Sequence, residues 1–277
     1  MIPARTTIIA EIGENHVGDW QRARDMVAAA ARAGADAVKF QSYRGRDISD
    51  QDPEKEWFHQ VELPDAMHFE LAELARKNGV EFLSAPFTLE RARFLCEKVM
   101  LRSIKVASSE MLNLPLLDYL NGRAETVYLS TGMADLAEVR QAVGRLGRVR
   151  RVVILHCVTQ YPLQDSDANL RAIQVLREVF PDHAIGYSDH TIGVLAPVLA
   201  VALGATVIEK HFTLDKGLPG TDHVLSVTPQ ELREMVERIR QTERLLGEAR
   251  KEPVEAERAI RETVRNRFPK AAGQEAV

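Results

Sequence analysis

The sequence predicts a (β/α)8 barrel, on three observations. Short β-branched runs alternate with longer amphipathic segments through most of the chain. The 277 residues match the roughly 250 usual for such a barrel. Period-2 alternation also puts lysines on one face of two strands and large apolar residues on the other, as expected where one face meets surrounding helices and the other lines an enclosed site.

In chain order, Thr7 to Glu11 reads as the first strand, and Trp20 to Arg32 has helical spacing and closes on Gly34. Strands follow at Ala35 to Gln41, Glu81 to Ala85, Ser103 to Ser108, Thr126 to Ser130, Val152 to Cys157, Ala184 to Ser188 and Thr206 to His211. Helices are expected between them at Asp65 to Asn78, Leu89 to Lys98, Pro115 to Asn121, Leu136 to Leu146, Ala168 to Phe180 and Ile192 to Leu203. A long helix from Pro229 to Leu246 follows the last strand. The charged stretch Lys251 to Arg267 reads as one more helix, so residues 1–267 form one barrel domain with a helical extension. The tail 268–277 is too thin in apolar residues to fold by itself. No linker divides the chain.

Composition excludes several classes of function. With 45% apolar and 27% charged residues the chain is ordinary globular material, and a net charge of -4 argues against nucleic acid or an anionic membrane as partner. Cys96 and Cys157 are too few for a disulfide framework, which makes the reducing cytoplasm the default location. No apolar run reaches the roughly 20 residues of a membrane span.

The candidate site gathers at strand ends. In Ala37-Val-Lys-Phe-Gln41, Ala37, Lys39 and Gln41 share a face; in Ser103-Ile-Lys-Val-Ala-Ser108, Lys105 shares one with Ser103 and Ala107. A lysine inside a barrel is costly unless it meets an anion. Glu11, Lys39, Lys105, Glu110, Ser130, His190 and His211 all fall at or just past C-terminal strand ends, the face on which barrel enzymes keep their chemistry. Two apolar runs end in His190 and His211. On neighbouring parallel strands these imidazoles would meet at one sheet edge and could hold a divalent ion. Two unrelated histidines capping core strands remain the alternative.

Nine segments in order carry a family resemblance over residues 7–225: Glu11-Ile-Gly-Glu-Asn-His16, Lys39-Phe-Gln41, Ser84-Ala-Pro-Phe87, Lys105-Val-Ala-Ser-Ser-Glu110, Ser130-Thr-Gly-Met133, His156-Cys-Val-Thr-Gln-Tyr-Pro162, Tyr187-Ser-Asp-His-Thr191, Glu209-Lys-His-Phe212 and Pro219-Gly-Thr-Asp-His223. Together they resemble the N-acetylneuraminate (sialic acid) synthase family. The resemblance implies an enzyme that condenses phosphoenolpyruvate with an aldehyde sugar, N-acetylmannosamine or a related acylamino-hexose, giving a nonulosonic acid and phosphate. It implies His190 and His211 as ligands of a divalent metal, usually manganese, with magnesium or cobalt as substitutes. Lys39, Lys105, Ser108, Ser130 and Ser188 match the phosphoenolpyruvate positions, and Glu11, Gln41, Phe87, Glu110, Tyr161 and Asp222 match the sugar side. Glu11, Glu110 and Lys39 are the implied catalytic groups.

Departures from the family pattern stand at Ser109, Ala85 and Thr159, where members commonly have Gly, Thr and Asn. Most members also continue into a small antifreeze-like domain that supplies a sugar-binding arginine across a dimer. Sugar recognition is therefore expected from the loop Ser42 to Leu63, with Arg44, Arg46, Trp57 and His59 as a lid, from the loop Lys216 to His223, or from a partner subunit of a homo-oligomer or a separate cap protein. Two other readings stay open: a phosphoenolpyruvate aldolase-like enzyme acting on another sugar or phosphosugar aldehyde, and a non-catalytic barrel scaffold.

Overall fold

A computed structural model describes residues 5–268. Of the short tail, residues 269–277 lie outside the described residues. Eight parallel strands, β1 (Thr7–Glu11), β2 (Ala37–Ser42), β3 (Glu81–Pro86), β4 (Ser103–Val106), β5 (Thr126–Ser130), β6 (Arg151–Cys157), β7 (Ala184–Asp189) and β8 (Val207–His211), form one sheet in the order β3-β2-β1-β8-β7-β6-β5-β4. β3 and β4 lie side by side at the seam, so the sheet curls into a nearly closed (β/α)8 barrel.

The helices are α1 (Trp20–Ala33), α2 (Lys55–Val61), α3 (Asp65–Lys77), α4 (Leu89–Arg93), α5 (Leu114–Leu120), α6 (Leu136–Arg145), α7 (Ala172–Val179), α8 (Leu195–Ala202), α9 (Pro229–Leu246) and α10 (Glu255–Arg265). Their starts follow from local chemistry. Asp19 accepts from the backbone N–H groups of Gln21 and Arg22 to cap α1, and Thr228 with Glu231 forms a capping box ahead of Pro229 in α9. Each such cap is worth about 1 kcal/mol. Gly34 stops α1 at φ 100°, a conformation that costs a side chain.

Two departures from the expected elements have physical causes. The segment from Phe94 to Lys98 continues α4 with a widened π-type turn. The expected helix from Ala168 begins only at Ala172, because Asn169 takes a left-handed φ of 43°. Helix α2 was not anticipated: its seven residues interrupt the loop between β2 and α3. α10 falls within the expected final helix and buries none of its residues.

The core divides as the alternation predicts. Val38, Phe40, Ile104 and Val106 pack outward in the large cluster between strands and helices. Ile9, Ala37, Leu83, Tyr128, Val153, Leu155 and Val207 fill the barrel interior. Gly186 is required in that interior, since a Cβ there would stand 2.6 Å from the Val207 carbonyl oxygen. Above this apolar plug the inward positions turn polar, and the site begins.

Candidate active site

A cavity of about 410 Å3 opens at the C-terminal ends of the strands. Glu11, Lys39, Lys105, Ser130, Ser188, Glu209 and His211 reach it from strands, and His190 stands one residue past β7. Gln41, Phe87, Ser108, Tyr161 and Asp222 also line it. Glu110 does not. The backbone turns into a short 3-10 helix at Ser108, and the Glu110 carboxylate accepts from Asn113 Nδ2 at 2.8 Å instead. Of the candidate catalytic, substrate-binding and metal-binding residues, Glu110 alone is absent from the cavity lining.

The floor is a buried ion network. Lys39 Nζ stands 2.7 Å from Glu11 Oε2 and 3.8 Å from Glu209 Oε1, while Lys105 Nζ donates to Glu209 Oε1 at 3.1 Å. Ser188 Oγ donates to the same Glu209 oxygen at 2.9 Å. Burial would lower the Lys39 ammonium, but Glu11 and Glu209 outweigh it and hold its pKa up. Lys105 is shifted down, chiefly by burial. Burial likewise raises Glu11, whereas the two lysines overcome burial at Glu209 and hold that carboxylate ionised. Glu209 therefore aims both ammonium groups. Ser130 Oγ and Glu209 Oε2 are buried without a hydrogen-bond partner among the described residues, so the floor carries unmet polar capacity.

The two histidines meet as parallel pairing requires. Asp189 pairs with Lys210, which puts His190 beside His211, and their ring centroids are 5.3 Å apart. His190 Nδ1 is 2.7 Å from the Val158 carbonyl oxygen, so as the donor it leaves Nε2 free. Burial and the neighbouring His211 push His190 down to about 4, which keeps it neutral at physiological pH. Burial opposes the proton on His211, yet Asp222, 3.1 Å from its Nδ1, wins and raises its pKa. Tyr161 covers His190 with ring centroids 4.1 Å apart. One imidazole oriented by a carbonyl and one beside a carboxylate match the surroundings of metal-ligating histidines. No group of three or more His, Cys, Asp or Glu side chains forms a ready-made metal cage among the described residues. The residues thus fit a two-imidazole site whose other positions are left to water or substrate oxygens.

The wall contains groups that sequence reasoning did not single out. Glu14, Glu54, Phe58, Cys157 and Thr221 line the cavity. Glu14 and Glu209 both lay within recognised segments, yet spacing alone could not rank them above their neighbours. Burial, with some help from Asp222, pushes the Glu14 carboxyl up to about 7, against a Trp57 hydrogen bond that pulls it down. The loop after β2 does reach the site: of its expected side chains Trp57 stands beside Glu14, while Arg44, Arg46 and His59 do not line the cavity. Arg44 is tied to Glu62 at 2.9 Å and Asp65 at 2.7 Å, His59 packs on Gly45, and Arg46 points to solvent. Glu54 and Phe58 are what it presents.

The departures all lie on the cavity surface at Ala85, Ser109 and Thr159. Gly132 shows how closely this wall is packed: its N–H donates to Ser108 Oγ at 3.0 Å, and a Cβ would come within 2.7 Å of that oxygen. His16, His156 and His223 serve the scaffold. Gly18 N–H donates to His16 Nδ1, His156 Nε2 pairs with the Ala168 carbonyl, and His223 Nδ1 pairs with Thr213 Oγ1.

A parallel barrel carrying lysines, carboxylates and paired histidines at its C-terminal mouth has the layout of a (β/α)8 enzyme site. The comparisons narrow it. The NeuB family model matches residues 26–251, and the chain belongs to that family. It is 40% identical to the N,N'-diacetyllegionaminic acid synthase of Legionella pneumophila over 93% of this chain and 78% of that protein. It is 34% identical to the N-acetylneuraminate-9-phosphate synthase of Mus musculus, over 92% of this chain and 75% of that one. Among solved structures, the N-acetylneuraminic acid (sialic acid) synthetase of Leptospira borgpetersenii, in complex with citrate, superposes with a TM-score of 0.89 at 34% identity, covering 95% of this chain and 92% of that one. A truncated 3-deoxy-D-arabino-heptulosonate 7-phosphate synthase from Thermotoga maritima shares the fold at 15% identity and a TM-score of 0.69. The chain is an enzyme of the synthase type.

Proposed function

We propose that this chain condenses phosphoenolpyruvate with the aldehyde form of an acylamino-hexose, giving a nonulosonic acid and phosphate. The observation that carries the reading is a single cavity with two buried lysines and an unsatisfied Ser130 hydroxyl at its floor and two facing imidazoles beside them. Lys39 and Lys105 meet the phosphate and carboxylate charges of phosphoenolpyruvate, and Ser108, Ser130 and Ser188 supply hydroxyl donors. His190 and His211 would hold a divalent metal, manganese on the family resemblance, which when bound supplies Lewis-acid polarisation of the acceptor carbonyl.

The methylene carbon of phosphoenolpyruvate forms a bond to the aldehyde carbon, and the aldehyde oxygen takes a proton. Water adds to the resulting cationic carbon C2 and loses a proton. The C2–O bond of the tetrahedral adduct then breaks, and phosphate leaves with the bridging oxygen as the ketone forms. Glu11 holds a proton at this floor in the proposed reaction, a role supported by burial, which raises its pKa above the ordinary carboxylate value against the pull of Lys39. Tyr161, Phe87 and Phe58 line the cavity and offer apolar ring surface to the carbon skeletons of the substrates. Phosphoenolpyruvate labelled with oxygen-18 in the bridge, incubated with manganese and a panel of acylamino-hexoses, tests the proposal. The label should appear in released phosphate. Label retained in the sugar product, or no phosphate release with any acceptor of the panel, would refute it.

A further inference from the structure

We infer that the buried ion pair of Asp189 and Lys210, on the outer face of the barrel, is a positioning device that holds His190 against His211 without itself touching metal or substrate. This rests on the two-imidazole site described above and adds what fixes its geometry.

Both residues are completely buried. Ser188, Glu209 and His211 point inward from β7 and β8, so alternation turns Asp189 and Lys210 outward, to the side where Tyr187 and Ile208 join the core between strands and helices. Among the described residues neither lines the cavity. An ion pair is a costly way to stabilise such a place, because well-packed apolar side chains often do so as well or better. Its bonds point to another task. The Asp189 carboxylate accepts at Oδ1 from the Tyr187 hydroxyl and the Thr191 N–H, each at 2.9 Å. At Oδ2 it accepts from Thr191 Oγ1 at 3.1 Å and from Lys210 Nζ at 2.7 Å. The same ammonium donates to the Thr191 carbonyl oxygen. Lys210 thus grips the residue on each side of His190, while its own backbone runs directly into His211.

His190 needs such a grip. The pairing of β7 with β8 ends at Asp189 and Lys210, so His190 has left the ladder, whereas His211 is still in register with Glu11 of β1. The loop after β6 holds His190 from the other side: the Val158 carbonyl oxygen is 2.7 Å from its Nδ1, and the Leu163 N–H donates to its carbonyl oxygen at 2.9 Å. Those two contacts set the ring relative to β6 and not relative to β8. Two imidazoles that share one ion must keep their lone pairs converging to within about 0.5 Å. The ion pair supplies the missing tie to the strand that carries His211.

The test measures manganese binding by calorimetry in the full chain, in Lys210→Met, in the double variant Asp189→Asn/Lys210→Met, and in Arg240→Met as a control. Arg240 ties Thr6, Asp36 and Glu243 together at the N-terminal ends of β1 and β2, so its loss costs stability far from the histidines. Lys210→Met should lower the urea midpoint and weaken manganese by roughly 10- to 100-fold. The double variant carries no unpaired charge, so its midpoint should recover while its manganese affinity stays low. Arg240→Met should bind manganese within about threefold of the parent. In the metal-free chain, nitrogen-15 NMR should show His190 as a single tautomer protonated at Nδ1 in the parent and as a mixture in both Lys210 variants. Manganese affinity within about threefold of the parent in the double variant, an equal loss in Arg240→Met, or an unchanged tautomer in both Lys210 variants would overturn the inference. A parent that binds no manganese, but whose His190 tautomer becomes mixed in the variants, would instead count against the metal site while upholding the positioning role.

Discussion

The floor of the cavity hangs on strands, whereas its wall hangs on loops, and the two regions follow different rules. At the floor, parallel register fixes every charged group: Glu11 pairs in register with Lys39 and with His211, and Ser188 with Glu209. At the wall, Glu14, Phe58 and Asp222 are held by side-chain contacts between distant segments, such as the Tyr43 ring edge-on to Phe58 at 5.5 Å and to Phe87 at 5.9 Å. A floor built this way is positioned by backbone pairing, which on the proposed reaction suits the substrate fragment that all reactions of one type share. A wall of loops can change residue by residue, and with it the acceptor.

The largest effect that separates the two regions is expected at their junction. His190→Ala and His211→Ala should each lower turnover on the order of a thousandfold and abolish tight manganese binding, since several kcal/mol of carbonyl activation is lost. Both rings are buried, so a modest loss of thermal stability should accompany this. Near-normal manganese-dependent rates in either variant would break the assignment.

Removing the shared carboxylate comes next. Among the described residues, Glu209→Ala leaves Lys105 with no anion within salt-bridge distance and Lys39 with Glu11 alone, and breaking a buried pair in this way costs about 3–5 kcal/mol. A urea midpoint unchanged from the parent would show that the floor is not the stabilised network described. The wall should respond to pH instead. The Glu14 carboxyl lies at about 7 when folded against 4.5 in the reference state, so the folded chain binds more protons between those values. Stability from this group therefore falls as pH rises from about 4.5 through 7, by up to about 3 kcal/mol. Glu14→Gln should remove that slope, so that its stability relative to the parent improves from pH 4 to pH 8. A constant difference across the range would contradict the buried, unpaired placement.

The floor was legible in the sequence and the wall only in part: Phe87, Tyr161 and Asp222 were expected there, Glu14, Glu54 and Phe58 were not. Strand periodicity put Lys39 and Lys105 inward before any coordinates, because a two-residue period leaves a side chain only two directions. The same logic could have singled out Glu209, which sits two residues before His211 on the same face of β8. Helix α2 escaped notice because its seven residues sit in a charged loop without a clear apolar period, and Trp57 and Phe58 find partners only across the chain. Glu110 follows a strand of the expected kind, but a 3-10 turn begins at Ser108 and its carboxylate bonds Asn113 beside the cavity lining; local turn geometry of that sort leaves no periodic trace.

The division of labour between floor and wall is tested most directly by titrating phosphoenolpyruvate into Lys105→Met and Phe58→Ala side by side. Lys105→Met is the cleaner floor variant, because Glu209 keeps Lys39 nearby. Loss of one charge-assisted hydrogen bond should weaken phosphoenolpyruvate by about 1.5–3 kcal/mol, or roughly one to two decades in Kd, while Phe58→Ala should leave that Kd within about threefold of the parent. Unchanged affinity in Lys105→Met, or an equal loss in both variants, would contradict the account.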